Sequence, residues 1–366
     1  MYRIAIVAGG SGGHIFPGIA LAQALAASEK VGKIVFIGRK DGLEKEMASH
    51  YGFSFYGIKA DGLIERNLLK KFKGGFKIVR GLTQSLSILR SEGIQLVLGT
   101  GGYVSVPVVI AARCLHIPII LHEQNAIVGK ANRFLSRWAE KICITFPSSI
   151  GYFSNLKCLV TGNPVRQEIL ALKQKNRETN FVSTLILGGS QGASAINKAM
   201  ETMWPYLKPY QSRLTFFHQT GEKDFLRIKE YYKKEKIAGN VFSFMKDIAS
   251  CYAQADLVIS RAGATTLAEI TALGLPSILI PYPWAKSHQL YNAKQMEKIG
   301  AAIVIPQEEL TGKGLADIFI NLVLDKDRLK LMAKASRAFG RPQATNHIKK
   351  ICIQTLERKE NELTMA

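Results

Sequence analysis

Two glycine-rich stretches stand at the ends of apolar runs and could hold a phosphate. The first, Gly9-Gly10-Ser11-Gly12-Gly13, follows Arg3–Ala8; the second, Gly188-Gly189-Ser190-Gln191-Gly192, follows Val182–Leu187. Backbone N–H groups of such a turn approach an anion closely, and a following helix adds its partial positive end. The same composition also serves a tight strand-to-helix turn with no ligand. His14 comes directly after the first turn. An imidazole there can act as a general base, since histidine ordinarily titrates near neutrality, or it can make a structural hydrogen bond. A third cluster runs from Ser260 to Glu269 through Arg261, Gly263, Ala264, Thr265 and Thr266, after the apolar run Leu257–Ile259. Its small residues and hydroxyls suit a diphosphate. Glu269, one turn on, could accept from both hydroxyls of a ribose or be a solvated helix residue. His122-Glu123-Gln124-Asn125 follows the apolar run Pro118–Leu121, where binding loops concentrate. It could serve sugar hydroxyls or a phosphate; one adjacent His and Glu is weak spacing for a metal. Asp325 and Asp327 match a metal-binding pair, but a helix N-cap is the stronger reading.

Neither glycine turn is a standard nucleotide fingerprint. After Gly10 and Gly12, a dinucleotide turn needs a small residue where Ile15 stands. Gly38-Arg39 closes the second strand in place of an acidic residue, which leaves an NADP-type site with Arg39 near a 2′-phosphate as an alternative. No Gly-Lys-Ser/Thr follows either turn, so there is no Walker A loop.

These groups must be positioned by the elements around them. Apolar runs at Lys33–Ile37, Phe53–Ile58, Leu96–Leu98, Lys141–Ile144 and Cys158–Val160 alternate with helical patterns such as Pro17–Ala27 and Thr83–Ser91. After Gly162-Asn163-Pro164 and a charged segment, Gln167–Asn180, the alternation restarts with Leu214–His218, Val241–Phe244, Ser277–Ile280 and Ala302–Ile305. Alternation of this kind predicts βαβ units and parallel sheets. The second glycine turn lies 179 residues beyond the first, about half the chain. Two doubly wound α/β domains facing a cleft follow, with a boundary near residue 163 and both glycine turns directed at the cleft. The tail from about Asp327 reads as helical and polar.

The chain has 366 residues, 47% of them hydrophobic, which fits two folded domains and excludes disorder. Five scattered cysteines without a C-x-x-C pair predict buried thiols in a reducing compartment, not a disulfide framework or zinc knuckle. No secretory signal or apolar run long enough to span a membrane is evident; the run from Val104 is broken by Arg113 and His116. Lys and Arg number 49 against 28 Asp and Glu, a net charge of +21 that calls for an anionic partner. Between Gly62 and Arg90, basic residues including Lys70, Lys71 and Arg80 interleave with Leu63, Leu68, Phe72, Phe76 and Val79. Such a segment can lie on an anionic membrane; the alternative is a connector whose leucines enter the core. Lys130, Arg133, Arg137 and Lys141, with Phe134, Leu135 and Trp138, could extend the same face. No nucleic-acid-binding module is recognisable, and no nucleic-acid partner is expected.

Six motifs occur together in register: Gly9 to His14, Gly101-Gly102-Tyr103, His122 to Asn125, Gly162-Asn163-Pro164-Val165-Arg166, Gly188 to Gly192, and Arg261 to Glu269. With His288-Gln289 and Asn292-Ala293, they resemble the MurG family of N-acetylglucosaminyltransferases of bacterial peptidoglycan synthesis, from residue 4 to about 350. The resemblance implies the GT-B architecture. It implies an acceptor-binding, membrane-facing domain at 1–162, a UDP-sugar domain at 163–340, and a C-terminal helix at 341–366 returning to the first. It implies inverting transfer from UDP-N-acetylglucosamine to the C4 hydroxyl of the muramoyl sugar of lipid I, giving lipid II, without a cofactor or metal. Ser11, Gly12, Gly13, Asn125, Arg166, Gly189, Ser190, Met245, Ala264, Thr265, Glu269 and Gln289 would then contact the donor. Gly10, Gly12, Gly13, Gly102, Tyr103 and Asn132 would take the acceptor. His14 would be the base, with Glu123 an alternative base or orienting partner. The family often has two adjacent glutamines where this chain has His288-Gln289. Leu68, Lys70, Lys71, Phe72, Phe76, Val79 and Arg80 would face the cytoplasmic side of the inner membrane, near other cell-wall synthesis proteins that serve cell shape and division. Competing readings are another GT-B enzyme, such as a UDP-N-acetylglucosamine 2-epimerase or a glycolipid glycosyltransferase, and a non-catalytic binding protein on the same fold.

Overall fold

The computed structural model describes residues 1–10, 12–59, 68–153, 157–172, 181–189, 191–283 and 288–365, with the side chains of 68–78 and 363 outside that description. Ser11, Ser190 and residues 62–67 of the basic segment therefore lie outside the described residues. The chain divides into two compact units, Met1–Arg166 with Pro342–Ala366, and Gln167–Arg341.

The first unit carries strands β1 (Tyr2–Val7), β2 (Val31–Arg39), β3 (Ser54–Ile58), β4 (Leu96–Gly99), β5 (Ile119–Glu123), β6 (Lys141–Ile144) and β7 (Cys158–Val160). Its helices are α1 (Gly12–Ala26), α2 (Leu43–His50), α3 (Leu68–Ser91), α4 (Ser105–Cys114) and α5 (Lys130–Leu135). The second unit runs α6 (Gln167–Leu170), β8 (Val182–Leu187), α7 (Ser194–Leu207), β9 (Leu214–Gln219), α8 (Glu222–Lys234), β10 (Gly239–Phe242) and α9 (Ile248–Gln254). It continues with β11 (Leu257–Ser260), α10 (Ala264–Leu273), β12 (Ser277–Leu279), α11 (His288–Lys298), β13 (Ala302–Val304), α12 (Gly312–Leu324) and α13 (Lys326–Phe339); α14 (Ala344–Met365) then belongs to the first unit.

Both sheets are parallel throughout, as βαβ alternation requires. Their orders are β3-β2-β1-β4-β5-β6-β7 and β10-β9-β8-β11-β12-β13. Each order reverses beside its first strand, between β1 and β4 and between β8 and β11, and ligands of such sheets bind beyond the strand ends at that point. The two reversals match in detail. Thr100 N–H donates to Val7 O at 2.9 Å in one, and Arg261 N–H to Leu187 O at 3.2 Å in the other.

Strands buried on both faces explain the short, nearly continuous apolar runs. In β1, Ile4 and Ile6 enter one core layer with Ile15, Ile19 and Leu25 of α1, while Ala5 and Val7 enter the opposite layer with Val104, Val108 and Ala112. The second unit's core gathers Trp204, Phe216, Ile259 and Phe319. Helix α14 contributes Ile348, Cys352 and Leu356, one turn apart, to the layer under α1. Tyr2 Oη donates to Glu360 at 2.5 Å, and Lys30 and Arg358 pair with Glu357 and Glu140.

Three expectations change. Helix α3 begins at Leu68, not Thr83, so one 24-residue helix takes in Lys70, Lys71, Phe72, Phe76, Val79 and Arg80. The edge strand β10 sits two residues earlier than Val241–Phe244, because its pairing with β9 starts at Gly239 against Phe216. Cys143, Cys251 and Cys352 are buried, but Cys114 is exposed and Cys158 half-buried. Burial pushes the Cys143 thiol up to about 12 and Cys251 to about 11, so neither is a nucleophile at neutral pH. Asp325 is the N-cap of α13, accepting from Arg328 N–H at 2.9 Å.

Candidate functional site

In the first unit, the residues singled out from the sequence gather at the β1/β4 reversal. His14 stands in the first turn of α1, and its Nδ1 lies 2.8 Å from Thr100 O and 3.1 Å from Gln124 Oε1. Thr100 also donates its hydroxyl to His14 O at 2.9 Å, so the β4 end grips this histidine by ring and backbone. Gly101 and Gly102 have positive φ, and a Cβ on Gly102 would stand 2.5 Å from Gly9 O. A side chain there would drive the two turns apart; glycine lets the Gly101–Tyr103 loop lie against the first glycine turn.

The His122–Asn125 segment closes β5 and is folded inward. Glu123 is buried, and four N–H groups satisfy it. Asn125 donates from its backbone at 3.0 Å and its amide at 3.3 Å, Gly129 N–H at 3.0 Å and Asn132 Nδ2 at 2.9 Å. A carboxylate so occupied orients Asn125 and Asn132. His122 is completely buried between Gln124 and the Gly162 carbonyl, and burial pushes its imidazole down to about 4. Arg39 is committed to Glu44, which accepts from its backbone N–H at 2.9 Å and its Nε at 3.1 Å; this answers the 2′-phosphate alternative. Arg166, expected near a donor diphosphate, ends the first unit with its guanidinium 5.3 Å over the ring of Phe16.

The second unit repeats the plan at the β8/β11 reversal. Gly192, at positive φ, brings the glycine turn against the Thr220 carbonyl, where a Cβ would collide. Behind it Asn197 donates to Thr220 O and Asp224, both at 2.9 Å, and its oxygen lies 3.0 Å from Nε2 of buried His218. Burial pushes Asp224 up, but hydrogen bonds from Ser194, Arg227 and Asn197 outweigh it and hold the carboxyl near 2. Burial drives His218 down to about 3.

Gln219, at the end of β9, was not anticipated. Its Nε2 donates to Gly189 O at 2.9 Å and its Oε1 accepts from Met245 N–H at 3.0 Å. One side chain thus ties the glycine turn to the backbone expected to read a base. Its place at the carboxyl end of a strand was the available signal. Ala264 and Thr265 open α10, whose first N–H groups have no helical acceptors of their own. Glu269 is buried, not solvated, and accepts from the Tyr252 hydroxyl at 3.1 Å; Tyr252 was likewise missed. Arg261 is buried with its guanidinium on the carbonyls of Ile280 and Pro281 and on Gln307. It therefore fixes the end of β12 and is not displayed as an anion clamp. Gln289 accepts from Tyr282 N–H at 3.0 Å, and buried Asn292 donates to Ala262 O, which ties α11 to the turn before α10.

The chain matches the glycosyltransferase family 28 N-terminal domain over residues 4–144 and the family 28 C-terminal domain over 183–350. It is 41% identical to the UDP-N-acetylglucosamine--N-acetylmuramyl-(pentapeptide) pyrophosphoryl-undecaprenol N-acetylglucosamine transferase of Thermodesulfovibrio yellowstonii, covering 98% of this chain and 100% of that one. The transferase of the same name from Geobacter metallireducens is 40% identical at the same coverage. Among solved structures, Acinetobacter baumannii MurG superposes with a TM-score of 0.79 at 30% identity, covering 97% of this chain and 100% of that one. A UDP-GlcNAc 2-epimerase from Neisseria meningitidis reaches 0.68 at 13% identity, over 96% of this chain and all of that one, and shares the fold alone. Matched in both domains and along almost its whole length, the chain belongs to glycosyltransferase family 28 and, within it, to the MurG family of N-acetylglucosamine transferases, with the GT-B fold.

Proposed function

We propose that the chain transfers N-acetylglucosamine from UDP-N-acetylglucosamine to the C4 hydroxyl of the muramoyl sugar of lipid I, giving lipid II with inversion at the anomeric carbon. The observation that carries the chemistry is the engagement of His14. Its Nδ1 is taken up by Thr100 O and Gln124 Oε1, which leaves Nε2 to take a proton. The acceptor oxygen attacks the anomeric carbon as Nε2 takes its proton. The bond from that carbon to the β-phosphate oxygen breaks, and the electron pair leaves with UDP. Leaving-group charge is met by backbone N–H groups around Gly189 and Ser190 and at the start of α10 with Ala264 and Thr265.

Met245 lies beside the uracil in this reading, Glu269 accepts from the ribose, and Gln289 and Asn125 hold the sugar. Because Gln219 occupies Met245 N–H, the Met245 carbonyl is the group left for the base. The acceptor diphosphate rests on Gly10, Gly12, Gly13 and the Gly102–Tyr103 loop, with Asn132 behind them. Arg166 and Ser11 complete the donor contacts.

The test is transfer of labelled N-acetylglucosamine onto a short-chain lipid I analogue. The β-linked disaccharide is expected. His14→Ala should lower turnover by roughly 10²–10⁴-fold, the usual worth of a general base, with UDP affinity unchanged. Equal losses in both would reject His14 as the base.

An acceptor with a long lipid also calls for reversible attachment to an anionic membrane. Among the described residues no helix is long and apolar enough to cross one. Val79 lies two turns before Leu86 on the same stripe of α3, yet it is 58% exposed, so that stripe runs past the core beside exposed Arg80. Arg137 stacks 4.5 Å over exposed Phe134, just after α5. These basic and apolar surfaces support attachment at the cytoplasmic face of the plasma membrane.

A further inference from the structure

We propose that Gln124 is a positioning residue for His14, its side-chain amide fixing which ring nitrogen carries the proton in both His14 and His122. The proposal rests on His14 acting as the base. Gln124 Nε2 lies 2.6 Å from Thr100 O, and only a donor stands that close to a carbonyl oxygen. The amide can therefore adopt one orientation only. Its oxygen is the atom 3.1 Å from His14 Nδ1, and the other neighbour of that nitrogen is again Thr100 O, at 2.8 Å. Both neighbours accept, so Nδ1 carries the hydrogen, and the neutral ring presents a bare Nε2.

The same Nε2 lies 3.1 Å from His122 Nδ1 and 3.5 Å from His122 O, so the remaining amide hydrogen goes to the closer nitrogen, which accepts it. The His122 proton then sits on Nε2, 3.2 Å from the Gly162 carbonyl. Donor follows acceptor without a break from His14 through Gln124 and His122 to the main chain at Gly162. A carboxylate commonly holds a catalytic histidine in its tautomer. Here an uncharged amide does so, and it brings no negative charge against the ring.

The experiment uses the full chain with ¹⁵N-labelled histidine, at a pH where the rings are neutral, together with steady-state kinetics. The wild type is expected to show His14 protonated on Nδ1 and His122 on Nε2. Gln124→Leu removes one of the two acceptors at His14 Nδ1 and the donor to His122 Nδ1. A measurable fraction of each ring should move to the other tautomer against the pull of Thr100 O and Gly162 O, and kcat should fall about tenfold with the KM for UDP-N-acetylglucosamine held within about twofold. Gln124→Glu keeps an acceptor toward His14 but loses the N–H groups given to both Thr100 O and His122 Nδ1, so the side chain must draw back from Thr100 O, and His122 should change tautomer while His14 keeps its Nδ1 proton. If the leucine variant does not fold, the glutamate variant decides alone. Unchanged ring spectra in the variants, or a parallel loss in kcat and KM with tautomers intact, would overturn the proposal. Wild-type turnover in His14→Ala would instead remove the base reading, while the ring spectra would still decide what Gln124 does.

Discussion

Gln219 and Glu269 show how single side chains hold the second unit's loops in place. Gln219 bridges Gly189 O and Met245 N–H, so its loss frees two loops at once. Gln219→Ala should weaken UDP binding about tenfold, which calorimetric titration would measure, because each buried partner left unpaired costs about 1–3 kcal/mol. Tyr252→Phe removes the hydroxyl that steadies Glu269 and should weaken binding of UDP more than that of uracil alone; equal losses would sink this account of Glu269. His14 and Glu269 stand out as candidates in the sequence because their types and places in glycine- and threonine-rich turns are distinctive. Their partners were not. Thr100 is 86 residues from His14 and Tyr252 is 17 residues from Glu269, and only the folded chain brings them together. Glu123 could be read as base or orienting group from its type; its four donors come into view only in the folded chain.

At the scale of elements, most strands coincide with their apolar runs, since a strand covered on both faces must be apolar at every position. The beginning of α3 was hidden because Gly74-Gly75 interrupts the pattern and lowers helix propensity. An edge strand such as β10 has one neighbour and a polar side, so its register rests on β9 and not on its own residues. Arg80→Glu should weaken binding to vesicles containing anionic lipid and leave binding to neutral vesicles unchanged; indifference to lipid charge would reject an electrostatic role for this helix. Helix α14 supports a prediction of stability. Ile348→Ala empties a fully buried site beneath α1 and should cost about 2–5 kcal/mol, seen as a lower Tm.

The whole molecule responds to acid and to salt. His122 and His218 are buried neutral, with values of about 4 and about 3 against an ordinary 6.5. The unfolded chain therefore binds protons more readily than the folded one. The stability these groups contribute is full above about pH 6.5 and declines as pH falls through their folded values. Asp224, held near 2, adds a further loss below its ordinary 3.8. Denaturant unfolding across this range should show a plateau and then an acid decline, and His218→Gln should flatten that decline. If the chain attaches to anionic membranes as proposed, its net charge of +21 should make vesicle binding weaken as salt rises, since the screening length falls to about 8 Å at physiological ionic strength.

Helix α14 has a consequence for biogenesis. It follows the whole second unit in chain order, yet it covers the sheet that begins at Tyr2. On the ribosome, the first sheet emerges early with one apolar layer covered by α1 but still lacking α14. The apolar surface that α14 covers must stay open while the second unit is translated. The earliest part of the chain is thus among the last to be finished, and chaperone dependence during synthesis should concentrate on the face that Ile348, Cys352 and Leu356 eventually seal.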